Sequence, residues 1–244
     1  MRFPIIATLL LLASFEGCVR YEYEHEIWLD VDGSGTVHVT GRPVLWTAFK
    51  GIGQIADPDQ TISREQVRQL FERSGLKVRR VTRVRRAGKS YLFISADFKD
   101  VNALNGTPAF PDLRIRLQRE GTNLVLSGRW EPRDKPPSVG EDARQGLMAI
   151  RFHLPSRIHS HKNAFGGVQR GNIVGWRQDV EKGLAGTPLE FGAVMDQRSI
   201  LHATVLLFVK AIVIALSLVG IGLYLAYRKG RRELDRQTPR FTRG

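Results

Sequence analysis

One segment limits the architecture of this 244-residue chain more than any other. Between Val205 and Tyr227 there are 23 residues and one charge, Lys210. As a helix these residues extend about 34 Å, enough to cross a bilayer core with some tilt. Lys210 lies early in the span, so its stem reaches the nearer headgroups. Tyr224 and Tyr227 fall at the opposite interface, and Arg228, Lys229, Arg231 and Arg232 follow at once. From Arg228 to Gly244 there are seven basic and two acidic residues. The positive-inside bias predicts this tail in the cytoplasm. Gly222 and Ala226 stand one helical turn apart, a small-xxx-small pair and a candidate for docking another membrane helix.

A second apolar run opens the chain. Met1-Arg2 precedes a largely apolar stretch from Phe3 to Ala13, too short to span and of the length of a signal-peptide core. Ser14-Phe15-Glu16-Gly17-Cys18 follows, and Cys18 is the single cysteine. It stands where a bacterial lipoprotein signal places the thiol that receives a diacylglycerol, with a small residue before it. Phe15 and Glu16 depart from the usual Leu and small residue. The alternative is an uncleaved anchor with an incidental cysteine. The two ends together predict a signal peptide over 1–17, an exported domain over 18–200, a transmembrane helix over 201–227 and a cytoplasmic tail over 228–244. This layout is that of a single-pass protein of the bacterial cytoplasmic membrane, its main domain on the extracytoplasmic side. One cysteine excludes an internal disulfide.

The net charge is +13. Export removes nucleic acid as a natural partner of the basic domain. Membrane lipids, an anionic envelope polymer or a membrane protein partner remain.

Between the two ends the pattern is that of a sheet. Tyr21, Tyr23, His25, Ile27, Leu29 and Val31 alternate with Glu22, Glu24, Glu26, Asp30 and Asp32, Trp28 being the exception. Asp32-Gly33-Ser34-Gly35 supplies a turn, and Val37 and Val39 resume the alternation, which predicts a hairpin. Pro43 to Asp59 is mixed, with Gly51, Gly53 and Pro58 as breakers. Ser63-Arg64-Glu65-Gln66 is a capping box, Ile62 and Val67 are placed to staple it, and Val67, Leu70 and Phe71 form one stripe that ends at Gly75. Such a helix must lie on the sheet. Leu76, Val78 and Val84 are expected on one face of the next strand, and Lys77, Arg79, Arg83 and Arg85 on the other. That basic row is either an anion-binding face or a solvated face paired in part with the Glu22/Glu24/Glu26 row. Further alternation runs through Leu92–Phe98, Leu113–Leu117, Leu124–Trp130, Met148–Leu154, Val168–Arg177 and Pro188–Met195. Glu131 to Gly146 breaks it and reads as a loop. The prediction is an α+β fold: a mostly antiparallel β domain of eight or nine strands with one packed amphipathic helix, plus the C-terminal transmembrane helix.

Catalytic signatures do not emerge. There is no Walker A, no G-x-G-x-x-G and no H-E-x-x-H. Gly33-Ser34-Gly35 lacks the spacing of a nucleophile elbow. His153, His159 and His161 are surrounded by Arg157, Lys162 and Arg170 rather than carboxylates, so no metal is expected. Asp97 with Asp100, and Asp57 with Asp59, sit in turn contexts that favour local hydrogen bonds. No cofactor and no catalytic residue is expected.

Cys18, the alternating strand after it, Asp32-Gly33-Ser34-Gly35, Leu154-Pro155-Ser156-Arg157-Ile158, Asn163 and Gly171-Asn172-Ile173-Val174-Gly175-Trp176 carry a likeness. In layout and in these short patches the chain resembles bacterial envelope lipoproteins of the LppM type. Ser156 stands where that family has the glycine of a Pro-Gly-x-Val turn. The resemblance implies a lipid-binding or envelope-interaction module rather than an enzyme. The expected function is therefore non-enzymatic recognition of a lipid or anionic envelope component, in an apolar cavity under the helix at 64–74 with Arg79, Arg83 and Arg85 nearby. The alternative is an interaction subunit of a membrane complex that docks through the transmembrane helix and its basic tail.

Overall fold

The computed structural model describes residues 21–53, 62–131 and 139–237. Residues 1–17, Cys18, Asp57, Asp59, the centre of the expected loop at 132–138 and residues 238–244 lie outside the described residues. Two compact units divide between Gln197 and Arg198.

The first unit is an α+β domain of two sheets. In chain order it contains β1 (Tyr21–Leu29), β2 (Gly35–Gly41), α1 (Pro43–Lys50), α2 (Arg64–Arg73), β3 (Lys77–Arg86) and β4 (Lys89–Phe98). A 3-10 turn (Val101–Leu104), β5 (Leu113–Glu120), β6 (Asn123–Trp130), α3 (Glu141–Arg144) and β7 (Leu147–His153) follow, then β8 (Ile158–His161), β9 (Ile173–Asp179), α4 (Val180–Leu184) and β10 (Leu189–Asp196). One sheet has the order β3-β4-β2-β1-β7-β9 and the other β5-β6-β10-β8. All pairings are antiparallel except β1 with β7. The inner faces share one core: Tyr23 of β1 meets Trp130 of β6 at 5.5 Å, and Phe152 of β7 meets Phe191 of β10 at 5.4 Å between ring centres.

Alternation explains β1. Tyr23, His25, Ile27 and Leu29 are buried, while Glu24, Glu26 and Trp28 stand on the open face. The turn to β2 is held by Asp32, whose carboxylate accepts from the Ser34 amide at 3.0 Å and hydroxyl at 2.6 Å, with Gly33 at φ +90°. Helix α2 begins at the expected cap: Ser63 Oγ accepts from the Glu65 amide, and the Gln66 side chain accepts from the Ser63 amide. Val67, Leu70 and Phe71 are buried, each such side chain contributing about 1.5–3 kcal/mol. The helix packs on β3 and β4. Under its stripe Phe71 packs against Trp46 and Phe110, with ring centres 6.1 and 5.6 Å away.

Helix α1 was not anticipated in the mixed stretch after Pro43. Its local signals are Pro43 at the start and Gly51 at the end, the latter left-handed with φ +67°. Two turns are too few for a helical period to stand out, and Val44, Leu45, Trp46 and Phe49 are all buried. The chain enters this helix at Gly41, directly opposite Tyr23 in the β1–β2 register. A Cβ at Gly41 would lie 2.3 Å from the Tyr23 ring.

Each sheet edge is dealt with differently. The Asn102 side chain accepts from the Leu117 amide at 2.8 Å and donates to the Leu117 carbonyl at 3.2 Å. Asn105 treats Ile115 the same way, at 2.5 and 2.6 Å. Two amide side chains thus occupy the free edge of β5 as a neighbouring strand would. The loop before β9 covers that edge through Phe165 and Gln169. Strand β8 has four residues. The remaining edge, β3, carries cations.

The second unit is a helix, α5 (Ile200–Gln237), within which Thr204–Lys229 is long and apolar enough to cross a membrane.

Gly41→Ala is expected to destabilise the domain by about 1–3 kcal/mol, because the Tyr23 ring must shift inside a packed core. Urea unfolding followed by tryptophan fluorescence measures it. Asn105→Leu, which removes both edge bonds, is expected to lower the unfolding midpoint and to increase aggregation.

Candidate functional site

Strand β3 reads Lys77-Val78-Arg79-Arg80-Val81-Thr82-Arg83-Val84-Arg85-Arg86. Its pairing with β4 slips by one residue between Val78 and Arg80. A bulge of this kind reverses the face of every later side chain. Lys77 therefore pairs with Asp97 and Arg80 with Ser95 on the open face, whereas Arg83 pairs with Leu92 and Arg85 with Ser90 on the side of buried Val81. The expected single row of Lys77, Arg79, Arg83 and Arg85 is divided between the two faces. The doublet Arg79-Arg80 between two valines is the sequence signal of the slip. It breaks the two-residue period.

The result is a ribbon with cations on both faces of an edge strand. Arg79 is the bulge residue and donates to Asp97 at 2.7 Å. Burial raises the Asp97 carboxyl, but the hydrogen bonds from Arg79 and Thr36 outweigh it and hold the group below its ordinary value. Arg83 donates to the Ile62 carbonyl at 3.2 Å. Arg86 lies over the Tyr91 ring at 5.9 Å. Lys77, Arg80, Arg83, Arg85 and Arg86 form no ion pair with a carboxylate among the described residues. Val84, in their midst, is exposed.

The glutamates of β1 form their ion pairs with cations outside this ribbon, although Arg86 acts on Glu24 from a distance. Glu22 pairs with Arg42 and Lys89, each at 3.7 Å, and both of those cations also hold Asp142 at 2.9 Å. Glu24 and Glu26 pair with Arg151, and Glu26 also with His153 at 2.8 Å. The partners come from β7 because the parallel β1–β7 register sets Glu26 beside Arg151.

The three histidines singled out in the sequence separate. His153 lies on β7 of one sheet, while His159 and His161 lie on β8 of the other. His159 bonds Asp196 at 2.8 Å, and the His161 ring accepts from the Ala164 amide. Asp97 and Asp100 also separate, since Asp100 caps the 3-10 turn through the Asn102 amide. Gly222 and Ala226 lie one turn apart on α5, both exposed, with nothing within 4 Å of a Cβ at Gly222.

Sequence reasoning missed a strongly perturbed group. Lys50, at the end of α1, is buried, and its ammonium donates to the Ala109 carbonyl and lies 4.6 Å from the Phe110 ring centre. Trp46 and Phe71 complete the box at 6.0 and 5.8 Å. Burial pulls the Lys50 pKa down to about 7, with Asp112 nearby opposing. His25, stacked on Trp130 at 4.6 Å, is pushed well below its ordinary value by burial and by Lys50. An isolated basic residue at the end of a short apolar run is the only sequence signal of this arrangement. The node ties α1 to the loop before β5, and its groups are enclosed by rings rather than aimed into a groove.

No protein-family model matches the chain, and no curated protein matches it.

Lys50 and His25 act on stability in the same direction. Between pH about 7 and the ordinary lysine value the unfolded chain holds a proton that the folded chain lacks. Stability therefore rises with pH across that window. For His25 the same sign applies below its ordinary value, so stability falls on acidification through that range. Lys50→Met is expected to stabilise the domain at pH 7 by about 1–4 kcal/mol. It should also flatten the rise between neutral and alkaline pH, as read by urea unfolding at several pH values.

Proposed function

We propose that the chain is a non-enzymatic, membrane-anchored binding module of the bacterial cell envelope, whose exterior domain holds anionic lipid headgroups against the β3 ribbon. The observation that carries this reading is the ribbon itself: five cations with no carboxylate ion pair among the described residues, on an edge strand, in a chain that also has a helix able to cross a bilayer. In this reading α5 is the single membrane span. The basic tail lies in the cytoplasm by the positive-inside bias, and the β-rich domain lies outside. Cys18 carries a lipid that restricts orientation, since one acyl chain adds little attachment to a spanning helix. Basic residues near an anionic surface contribute about 1 kcal/mol each, within a Debye length of about 8 Å. Arg80, Arg83, Arg85 and Arg86 are the residues that would do so, and exposed Val84 would enter the apolar edge of the headgroup layer. The likeness to LppM-type lipoproteins belongs to this proposal and rests on short patches of sequence.

Two measurements test it. In nanodiscs of phosphatidylcholine with phosphatidylglycerol, β3 amides of the full chain should exchange more slowly than in phosphatidylcholine alone. The difference should vanish with the quadruple change of Arg80, Arg83, Arg85 and Arg86 to Gln, and at about 0.5 M salt. Equal exchange in the two lipids would remove the reading. Protection that appears only when a soluble polyanion is added would replace the lipid by an envelope polymer. A reporter fused after residue 150 should behave as extracytoplasmic and one fused after residue 237 as cytoplasmic. The reverse pattern overturns the topology.

A further inference from the structure

We propose that the outer face of the four-stranded sheet carries a phosphate-binding site, in the groove where β5, β6 and β10 run side by side. The groove has a volume of about 340 Å³, and its lining includes Arg114, Arg116, Ser127, Arg129, Lys162 and Gly192. The register explains how it forms. Arg114 stands directly opposite Arg129, and Arg116 opposite Ser127, which in turn faces Gly192. Gly192 has no side chain to fill the third position of that row, so the sheet surface dips between the arginines and Lys162. A Cβ there would sit 3.8 Å from the Lys162 Cβ.

The charges in this groove are not balanced internally. Four cations line it against one carboxylate, Glu190, which is paired with Lys162 at 2.5 Å. Arg129 reaches Glu131 at 3.0 Å. Arg114 is tied by one nitrogen to the Pro111 and Leu113 carbonyls, at 3.2 and 3.0 Å, which fixes the guanidinium without neutralising it. Arg116 is exposed and has no carboxylate partner among the described residues. Like charges directly opposite on paired strands destabilise a sheet. An anion bridging Arg114, Arg116 and Arg129 relieves that repulsion. Planar guanidinium forks match the oxygens of a phosphate, and Ser127 adds a hydroxyl at the same level. Ile115, Gly128 and Phe191 form the register row between these and turn to the inner face, where Ile115 and Phe191 are buried, so the outer groove presents the cations and the hydroxyl.

This site is separate from β3 and does not rest on the headgroup reading of that strand. The shared chemistry is a phosphate group, supplied either by a lipid headgroup or by a free phosphate compound. The test is calorimetric titration of the full chain, held in phosphatidylcholine nanodiscs, with glycerol 3-phosphate and with inorganic phosphate. Saturable one-site binding is expected for glycerol 3-phosphate. Arg116→Gln should weaken it about tenfold, and Gly192→Val, which fills the floor without altering charge, should weaken it at least as much. Arg83→Gln with Arg85→Gln should leave it unchanged. Arg116 is exposed, so its variant keeps the test decisive should Gly192→Val fail to fold. Tighter binding of glycerol 3-phosphate than of inorganic phosphate assigns the site to a headgroup-like ester. Equal binding assigns it to free phosphate. No saturable binding of either, or binding that Arg116→Gln leaves intact, overturns the proposal.

Discussion

The ring of Tyr23 is the point on which the domain is assembled. It lies on β1, the third strand from one edge of the six-stranded sheet, and is fully buried. Trp46 and Phe49 of α1 pack against it at 6.1 and 4.9 Å, and Trp130 of the second sheet at 5.5 Å. One side chain therefore sets the spacing between a sheet, a helix and the opposing sheet. Gly41 is required by the same contact, since its missing Cβ gives the ring its place. The Trp46 indole then donates to the Gly41 carbonyl at 3.2 Å, which fixes the angle at which β2 turns into α1. Close packing makes such a junction intolerant of added volume. A strand-to-helix corner with Gly-Arg-Pro thus follows from the size of one tyrosine two strand positions before His25.

Legibility in the sequence tracked how local each cause is. The cap of α2 was readable because the Ser63 and Gln66 bonds lie within four residues, and the staple residues flank them. The alternation of β1 was readable because one face is buried and the other is not. The bulge in β3 was missed because a row of arginines outweighed the one irregularity, two polar residues between valines. Helix α1 was missed because its stabilisation comes from Tyr23, Phe71 and Trp130, none of which is near it in the chain. The pairing of β1 with β7 spans more than a hundred residues, and no local pattern announces a parallel neighbour. For the candidate surface, residue types were legible and grouping was not. The arginines of β3 were evident, but their division between faces was not. The Arg114–Arg129 juxtaposition exists only through register.

The distribution of charge is consistent across these features. Carboxylates on the open face of the larger sheet are matched by cations from β7, from the start of α1 and from β4. Excess positive charge stands, among other places, on the β3 edge and on the outer face of the smaller sheet. On β3 it has a structural effect independent of any ligand, because a row of cations prevents a second sheet from adding to that edge. On the smaller sheet the free edge of β5 is already occupied by Asn102 and Asn105. Arg114 of the edge strand β5 stands opposite Arg129 of β6, and both face outward, where uncharged residues would pair with less repulsion. Lys50 shows the opposite arrangement, a cation enclosed by rings and tied to one carbonyl. Its burial costs stability at neutral pH, whereas the surface cations cost little and remain open to anions.

Anchoring changes what such surfaces need to achieve. Under the proposed topology only the few residues between Gln197 and Thr204 join the β domain to the span. A short connection of this kind holds the local concentration of the second contact in the millimolar range. Contacts of about 1 kcal/mol per cation, too weak to recruit a free protein, are then sufficient to bias orientation. The same argument applies to a phosphate ester in the groove of the smaller sheet, where headgroups present many copies at the surface. Under the two proposals, weak individual sites, one spread along an edge strand and one confined to a groove, would suffice for a tethered domain.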